Sequence, residues 1–106
     1  MKRSNKFPPS IDYEAWLVKS LRNKKEAVVF LETALESYQE DNNIEAFLLA
    51  LRQVAQARGG IGKLSQNVDL NRQAIYQALS TKGNPRLNTL TSILSALGFR
   101  LAVKIA

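Results

Sequence analysis

The stretch Ile61–Ser80, IGKLSQNVDLNRQAIYQALS, constrains this chain more than any other, because two apolar repeats of helical period meet in it across a polar turn. Leu64 and Val68 lie four apart in the first half, Ile75 and Leu79 four apart in the second, and Leu70 stands between them. Residues four apart share one face of a helix. Ser65 is small enough to let two crossing helices approach. Asp69 sits at the turn and tolerates the left-handed backbone that glycine adopts most cheaply. Asn71 is a good N-cap, which predicts a second helix over Arg72–Leu79. At about 100° per residue, Ala74, Ile75, Ala78 and Leu79 fall on one arc of that helix. Arg72, Gln73, Tyr76, Gln77 and Ser80 fall on the opposite arc, which is rich in hydrogen-bonding groups and contains no acid. The pattern is that of a helix-turn-helix. By spacing alone, an ordinary amphipathic helix pair with a solvated polar face reads the same way, so the decision falls to the rest of the chain.

Charge supplies the first discriminator. The net charge of +6 is unevenly spread: residues 1–11 contribute +3, residues 12–45 contribute −4, and residues 46–106, with Asp69 as their single acid, contribute +7. A basic half containing a candidate reading helix points to a polyanion, because neutralising phosphates releases condensed counterions. DNA would repel the acidic half, which is expected to face another partner or to pack away from the duplex.

What the chain lacks narrows the function classes. It has no cysteine, hence no disulfide, thiolate nucleophile or Cys-based metal site. It has no histidine, which removes the usual general base near neutral pH and the commonest metal ligand. The nine acids form no arrangement suggesting a catalytic dyad, and most fall on the outer faces of expected helices. Neither an enzyme nor a cofactor is expected. At 106 residues and 45% hydrophobic content the chain fits one modest core. Lys2, Arg3 and Lys6 lead into Phe7-Pro8-Pro9 and not into a secretory apolar region, so the cytoplasm is the expected compartment.

In chain order, residues 1–11 lack periodicity and read as a mobile basic arm. From the N-cap Asp12, a helix ending near Arg22 carries Tyr13, Trp16, Leu17 and Leu21 on one face. Asn23 with Glu26 resembles a capping box for a second helix, whose stripe is Ala27, Phe30, Leu31, Ala34, Leu35 and Tyr38. Trp16, Phe30 and Tyr38 read as core or interface anchors. Asn42 with Glu45 repeats the cap signature for a third helix from about Asn43 to Ala57, stopped by Gly59-Gly60. Apolar residues cover more than half its circumference, so it should be buried at the centre against two neighbours. After the helix pair, Thr81–Pro85 forms a turn in which Pro85 stops the preceding helix. A last helix carries Leu87, Leu90, Ile93, Leu94 and Leu97 and ends at Gly98. Beyond it the period changes from about 3.6 to about 2: Phe99, Leu101, Val103 and Ile105 alternate with Arg100, Ala102 and Lys104, as in a strand. No other strand is in sight, so its cheapest partner is the same strand of a second copy in a two-fold dimer.

The phrases AFLLALRQVAQARGG from Ala46 to Gly60 and ALSTKGNPRLNTLTSILSALGFRL from Ala78 to Leu101, with the helix-turn-helix between them, carry a resemblance. Over residues 12 to 105 the chain resembles the HigA-like addiction-module antidote proteins, a branch of the Xre/Cro-like helix-turn-helix superfamily. The fold expected is all-α: a five-helix domain of that type with two N-terminal helices and a short C-terminal β-strand pairing across a dimer. Its divisions are the arm 1–11, the helical pair 12–43 and the DNA-binding and dimerisation module 44–106.

The resemblance implies the antitoxin of a type II toxin-antitoxin module, which neutralises a RelE/ParE-like (HigB-like) toxin and represses its own operon. A stand-alone prophage-type repressor without a toxin is the alternative. The superfamily lays the helix corresponding to Arg72–Leu79 in the major groove of operator DNA. Arg72, Gln73, Tyr76 and Gln77 are then the base-reading residues, and Lys63, Asn71, Lys82, Asn84, Arg86 and Asn88 the phosphate contacts. Phe99, Leu101, Val103 and Ile105 are the dimerisation residues. The acidic helical half with the basic arm, residues 1–43, is the candidate toxin surface, with Trp16, Phe30 and Tyr38 on it, because a RelE-like toxin is basic and the DNA-facing half is basic too. The alternative is that helices 12–22 and 24–39 only complete the core over the third helix. Three positions depart from the superfamily pattern: Arg86 where a Ser or Thr cap is usual, Asp69 for the turn glycine, and Ser65 for an alanine.

Overall fold

The first helices begin where a short polar side chain can accept from the backbone N–H groups that an opening helical turn leaves unpaired. A computed structural model describes residues 12–68 and 70–106. In it α1 (Tyr13–Leu21) is capped by Asp12, whose Oδ2 accepts from Ala15 N at 3.2 Å. In α2 (Lys24–Asp41) Asn23 Oδ1 accepts from Lys25 N and Glu26 N at 2.9 and 3.1 Å. The cap of α3 (Ile44–Ala57) is Asn43, accepting from Glu45 N at 3.1 Å, and not the expected Asn42. Two residues separate these helices, so one must end α2 while the other starts α3. Asn42 takes the left-handed conformation, φ 59°, and its N–H donates to the Tyr38 carbonyl at 2.7 Å. The basic arm 1–11 and the Asp69 turn conformation lie outside the described residues.

Three further helices follow, α4 (Gly60–Asn67), α5 (Arg72–Ala78) and α6 (Leu87–Ala96), giving six among the described residues where five were expected. Their packing is organised by α3, which lies against α1, α2 and α4. Leu48, Leu51, Val54 and Ala55 of α3 are completely buried. On one side they meet Leu17 and Leu21 of α1 with Ala27 and Leu31 of α2. On the other they join Leu64, Ile75 and Leu79, and Ile93, Leu94 and Leu97, in one continuous core. The expectation of a central third helix holds, with three neighbours instead of two.

The polar strip of α3 ties down two other helices. Arg52 Nη1 donates to the Leu79 carbonyl at the end of α5. Arg58 Nε donates to the Leu97 carbonyl at the end of α6 at 3.2 Å, and its guanidinium lies 5.5 Å from the Phe99 ring centroid. Both cations thus sit where the backbone dipoles leave partial negative charge.

One helix end departs from expectation and another meets it. Helix α5 stops at Ala78 with Leu79 as its C-cap, well before Pro85, so the proline sits ahead of α6 and does not end α5. At the end of α6, Gly98 is left-handed at φ 92°. Gly98 N donates to the Ser95 carbonyl at 3.0 Å and Phe99 N to the Leu94 carbonyl at 2.8 Å, the two bonds of a Schellman motif. The segment beyond forms no strand in this single chain. Phe99 and Leu101 are half-buried against the core, while Val103 and Ile105 are fully exposed. An isolated strand leaves its ladder groups unmade, and the described residues offer it no second strand.

Candidate functional site

The outer arc of α5 is positioned by local bonds and by its inner arc. Asn71 Oδ1 accepts from Ala74 N at 2.7 Å, starting the helix at Arg72 as the sequence predicts. Ile75 and Leu79 are completely buried, and Ala74 and Ala78 are half-buried, which turns Arg72, Gln73, Tyr76 and Gln77 outward. Tyr76 is 53% exposed, so its ring stands on the surface. Helix α4 packs against α5 and α6 and buries Leu64. Ser65 faces its own helix: its hydroxyl donates to the Gly62 carbonyl at 2.8 Å, which satisfies the polar atom that replaces the expected alanine methyl.

Arg72 does not project straight away from the body. A side-chain carbon at Gly62 would lie 3.6 to 3.8 Å from the Arg72 guanidinium, so the arginine arches back across the first turn of α4. Gly62 therefore provides the bed on which the arginine lies. A glycine within the first apolar segment was the available sequence signal, but its partner ten positions later was not foreseeable from spacing.

The expected phosphate contacts fall into two groups. Lys63 is exposed on α4, and Asn71 is exposed at the start of α5. The Asn71 carbonyl oxygen is engaged by its own helix, which leaves its amide nitrogen as the outward donor. Lys82 and Asn84, exposed on the segment after α5, line a shallow open recess with Gln77, Ser80, Pro85 and Thr89. Arg86 and Asn88 are exposed at the start of α6, where Arg86 provides no side-chain cap. Lys82 and Asn84 thus share one concavity with Gln77, and Lys63 stands on the helix across which Arg72 folds.

Sequence reasoning missed Gly83 as a requirement. A side-chain carbon there would meet the Ala78 carbonyl oxygen and lie 2.9 Å from that of Gln77, so the chain after α5 passes too close to the helix end for any larger residue. On α1 and α2, Trp16, Phe30 and Tyr38 are half-buried and pack on the core. The apolar residues that α2 leaves to solvent are Val28 and Val29, 36% and 61% exposed, followed along the helix by exposed Glu32, Glu36 and Glu40.

Among the described residues no group of three or more His, Cys, Asp or Glu side chains is placed to hold a metal ion, and no helix is long and apolar enough to cross a membrane. The described residues are all-helical in their regular structure and present two surfaces of different character, one polar and acid-free on α5, the other acidic on α2. The chain belongs to the addiction-module antidote family: the family model described as "Probable addiction module antidote protein" matches residues 14–105. A protein of Haemophilus influenzae (strain ATCC 51907 / DSM 11121 / KW20 / Rd), described as "Uncharacterized protein", is 33% identical over 84 residues, 79% of this chain and 81% of that one. No solved structure matches the chain. Membership supports an antitoxin role in general, with a toxin as partner.

Proposed function

We propose that this chain is the antitoxin of a type II module that neutralises a RelE/ParE-like, HigB-like toxin and, as a homodimer, represses its own operon by sequence-specific binding to double-stranded operator DNA. The observation that carries the DNA reading is the exposed, acid-free arc of α5, fixed by the Asn71 cap and the buried Ile75 and Leu79. In this reading α4 and α5 are the helix-turn-helix of an Xre/Cro-like repressor, and α5 enters the major groove. Arg72 and Gln73, at its N-terminal end, reach base edges first: arginine pairs bidentately with guanine and glutamine with adenine, each such pair contributing about 1–3 kcal/mol of discrimination. Gln77 lies one turn on, and Tyr76 packs on a thymine methyl or a phosphate. Lys63, Asn71, Lys82, Asn84, Arg86 and Asn88 hold the backbone on either side and set the register.

The second copy binds through the tail that carries Phe99, Leu101, Val103 and Ile105, in which Phe99 stays on its own core and the other three supply the pairing face, so that two reading helices address two half-sites. The toxin binds the acidic surface of α1 and α2, where Trp16, Phe30 and Tyr38 leave part of their surface outside the core. Family membership favours this reading over a stand-alone repressor, since an antidote needs a toxin.

The test is a footprinting and affinity comparison of the parent chain with Arg72→Ala and Gln73→Ala. Both side chains are exposed, so the melting temperature should hardly move while operator preference over unrelated DNA is lost. Unchanged specificity would place the reading surface elsewhere.

A further inference from the structure

The tail after α6 is the one apolar stripe of the described chain that begins on the core and runs off it. Beyond the Phe99 N–H bond to Leu94, residues 100–106 make no backbone hydrogen bond among the described residues. Leu101 is half-buried, and Val103 and Ile105 are each 100% exposed. Building on the dimer reading above, we propose that this segment pairs with the same segment of a second copy in one particular register, antiparallel and with the two-fold axis through Val103.

Elimination by faces and charges gives that register. Residues directly opposite in an antiparallel pair lie on the same face, and like charges directly opposite are destabilising. An axis between two residues sets the apolar face of one strand against the polar face of the other. An axis at Ala102 puts Arg100 opposite Lys104 twice, and one at Lys104 puts Lys104 opposite itself. An axis at Leu101 uses Phe99, whose N–H is already bound to Leu94, and leaves Ile105 outside the pair. An axis at Ile105 pairs Lys104 with Ala106 and leaves Leu101 and Val103 without an apolar partner among the described residues. A parallel pair sets Arg100 beside Arg100 and Lys104 beside Lys104.

The axis at Val103 avoids all of these. Val103 faces its own counterpart, Leu101 faces Ile105, Ala102 faces Lys104, and Arg100 faces Ala106, so every apolar side chain meets an apolar one and no charge meets its like. The register also carries the fully exposed Ile105 of each copy to the edge of the other copy's core, beside the half-buried Leu101.

The chain has no cysteine, so single-cysteine variants report the register directly. Directly opposed Cβ atoms in such a pair approach to about 4.5 Å, at the edge of what a disulfide spans, whereas Ala102 and Lys104 meet their own counterparts only on the diagonal, about 7–8 Å apart. Val103→Cys should therefore convert most of the dimer to a covalent one, several-fold more than Ala102→Cys or Lys104→Cys. Either of the latter cross-linking as efficiently as Val103→Cys would overturn the register. In sedimentation, Val103→Lys and Val103→Glu should each lose the dimer alone, and an equimolar mixture should recover it. A Val103→Lys variant that stays dimeric, or a mixture that stays monomeric, would also overturn it. A monomeric parent chain would overturn the dimer reading itself, whereas a dimeric parent with the wrong cross-link overturns only the register.

Discussion

Gly83 shows how closely a single position is held. Its missing side chain is required because the chain after α5 runs back against the carbonyl oxygens of Gln77 and Ala78, and backbone cannot give way as a flexible side chain can. Gly83→Ala should lower stability by about 1–3 kcal/mol, the range for overpacking a filled site, with a matching fall in melting temperature. A thermal melt unchanged from the parent would show that the segment shifts without strain. Arg72 and Gly62 form the complementary case, since their contact is ordinary van der Waals distance and the arginine is exposed. The side chain can leave its bed on α4 without breaking the core, as a base-reading role requires.

At the scale of elements, α5 is short and depends on neighbours for its place. With 7 residues it is too short to be stable alone, and its anchors are the Asn71 cap, the Arg52 bond to the Leu79 carbonyl, and the burial of Ile75 and Leu79. Ile75→Ala should cost about 2–5 kcal/mol, and loss of DNA binding should track unfolding as denaturant rises. A folded variant that no longer binds would mean that Ile75 acts on the contact surface itself. The sequence made α5 and its cap legible because the signal is local: a polar side chain accepts from an N–H three residues on. The same logic misplaced the cap of α3 by one residue, because Asn42 and Asn43 are chemically alike and only the tight junction separates their roles. Arg52 and Arg58 were illegible as anchors because their acceptors lie 27 and 39 residues away. The terminal alternation predicted a strand that the single chain does not form, because pairing is a property of two segments and one chain supplies one.

Across the whole molecule, α3 is shared between the acidic and the basic halves. Leu17, Leu21, Ala27 and Leu31 cover one side of it, so removing α1 and α2 would strip the core and could not serve as a clean test of toxin binding. Surface charge is the better probe. Reversing Glu32, Glu36 and Glu40 to lysine should leave the melting temperature near that of the parent and slow association with a basic toxin, most at low salt. An unchanged association rate at low ionic strength would move the toxin surface off α2. At the other end, truncation after Gly98 should weaken dimerisation and with it the occupancy of paired half-sites. Sedimentation that still shows a full dimer would remove the tail from the interface.

The left-handed turn at Gly98 then acquires a wider meaning. It fixes the direction in which the tail leaves the core, with Phe99 held under the Arg58 guanidinium just beyond it. In a dimer joined through these tails, two such joints would set how the two bodies are held relative to one another. The distance and phase between the reading helices, and so the number of base pairs between half-sites, would follow from the handedness of one residue that touches no DNA.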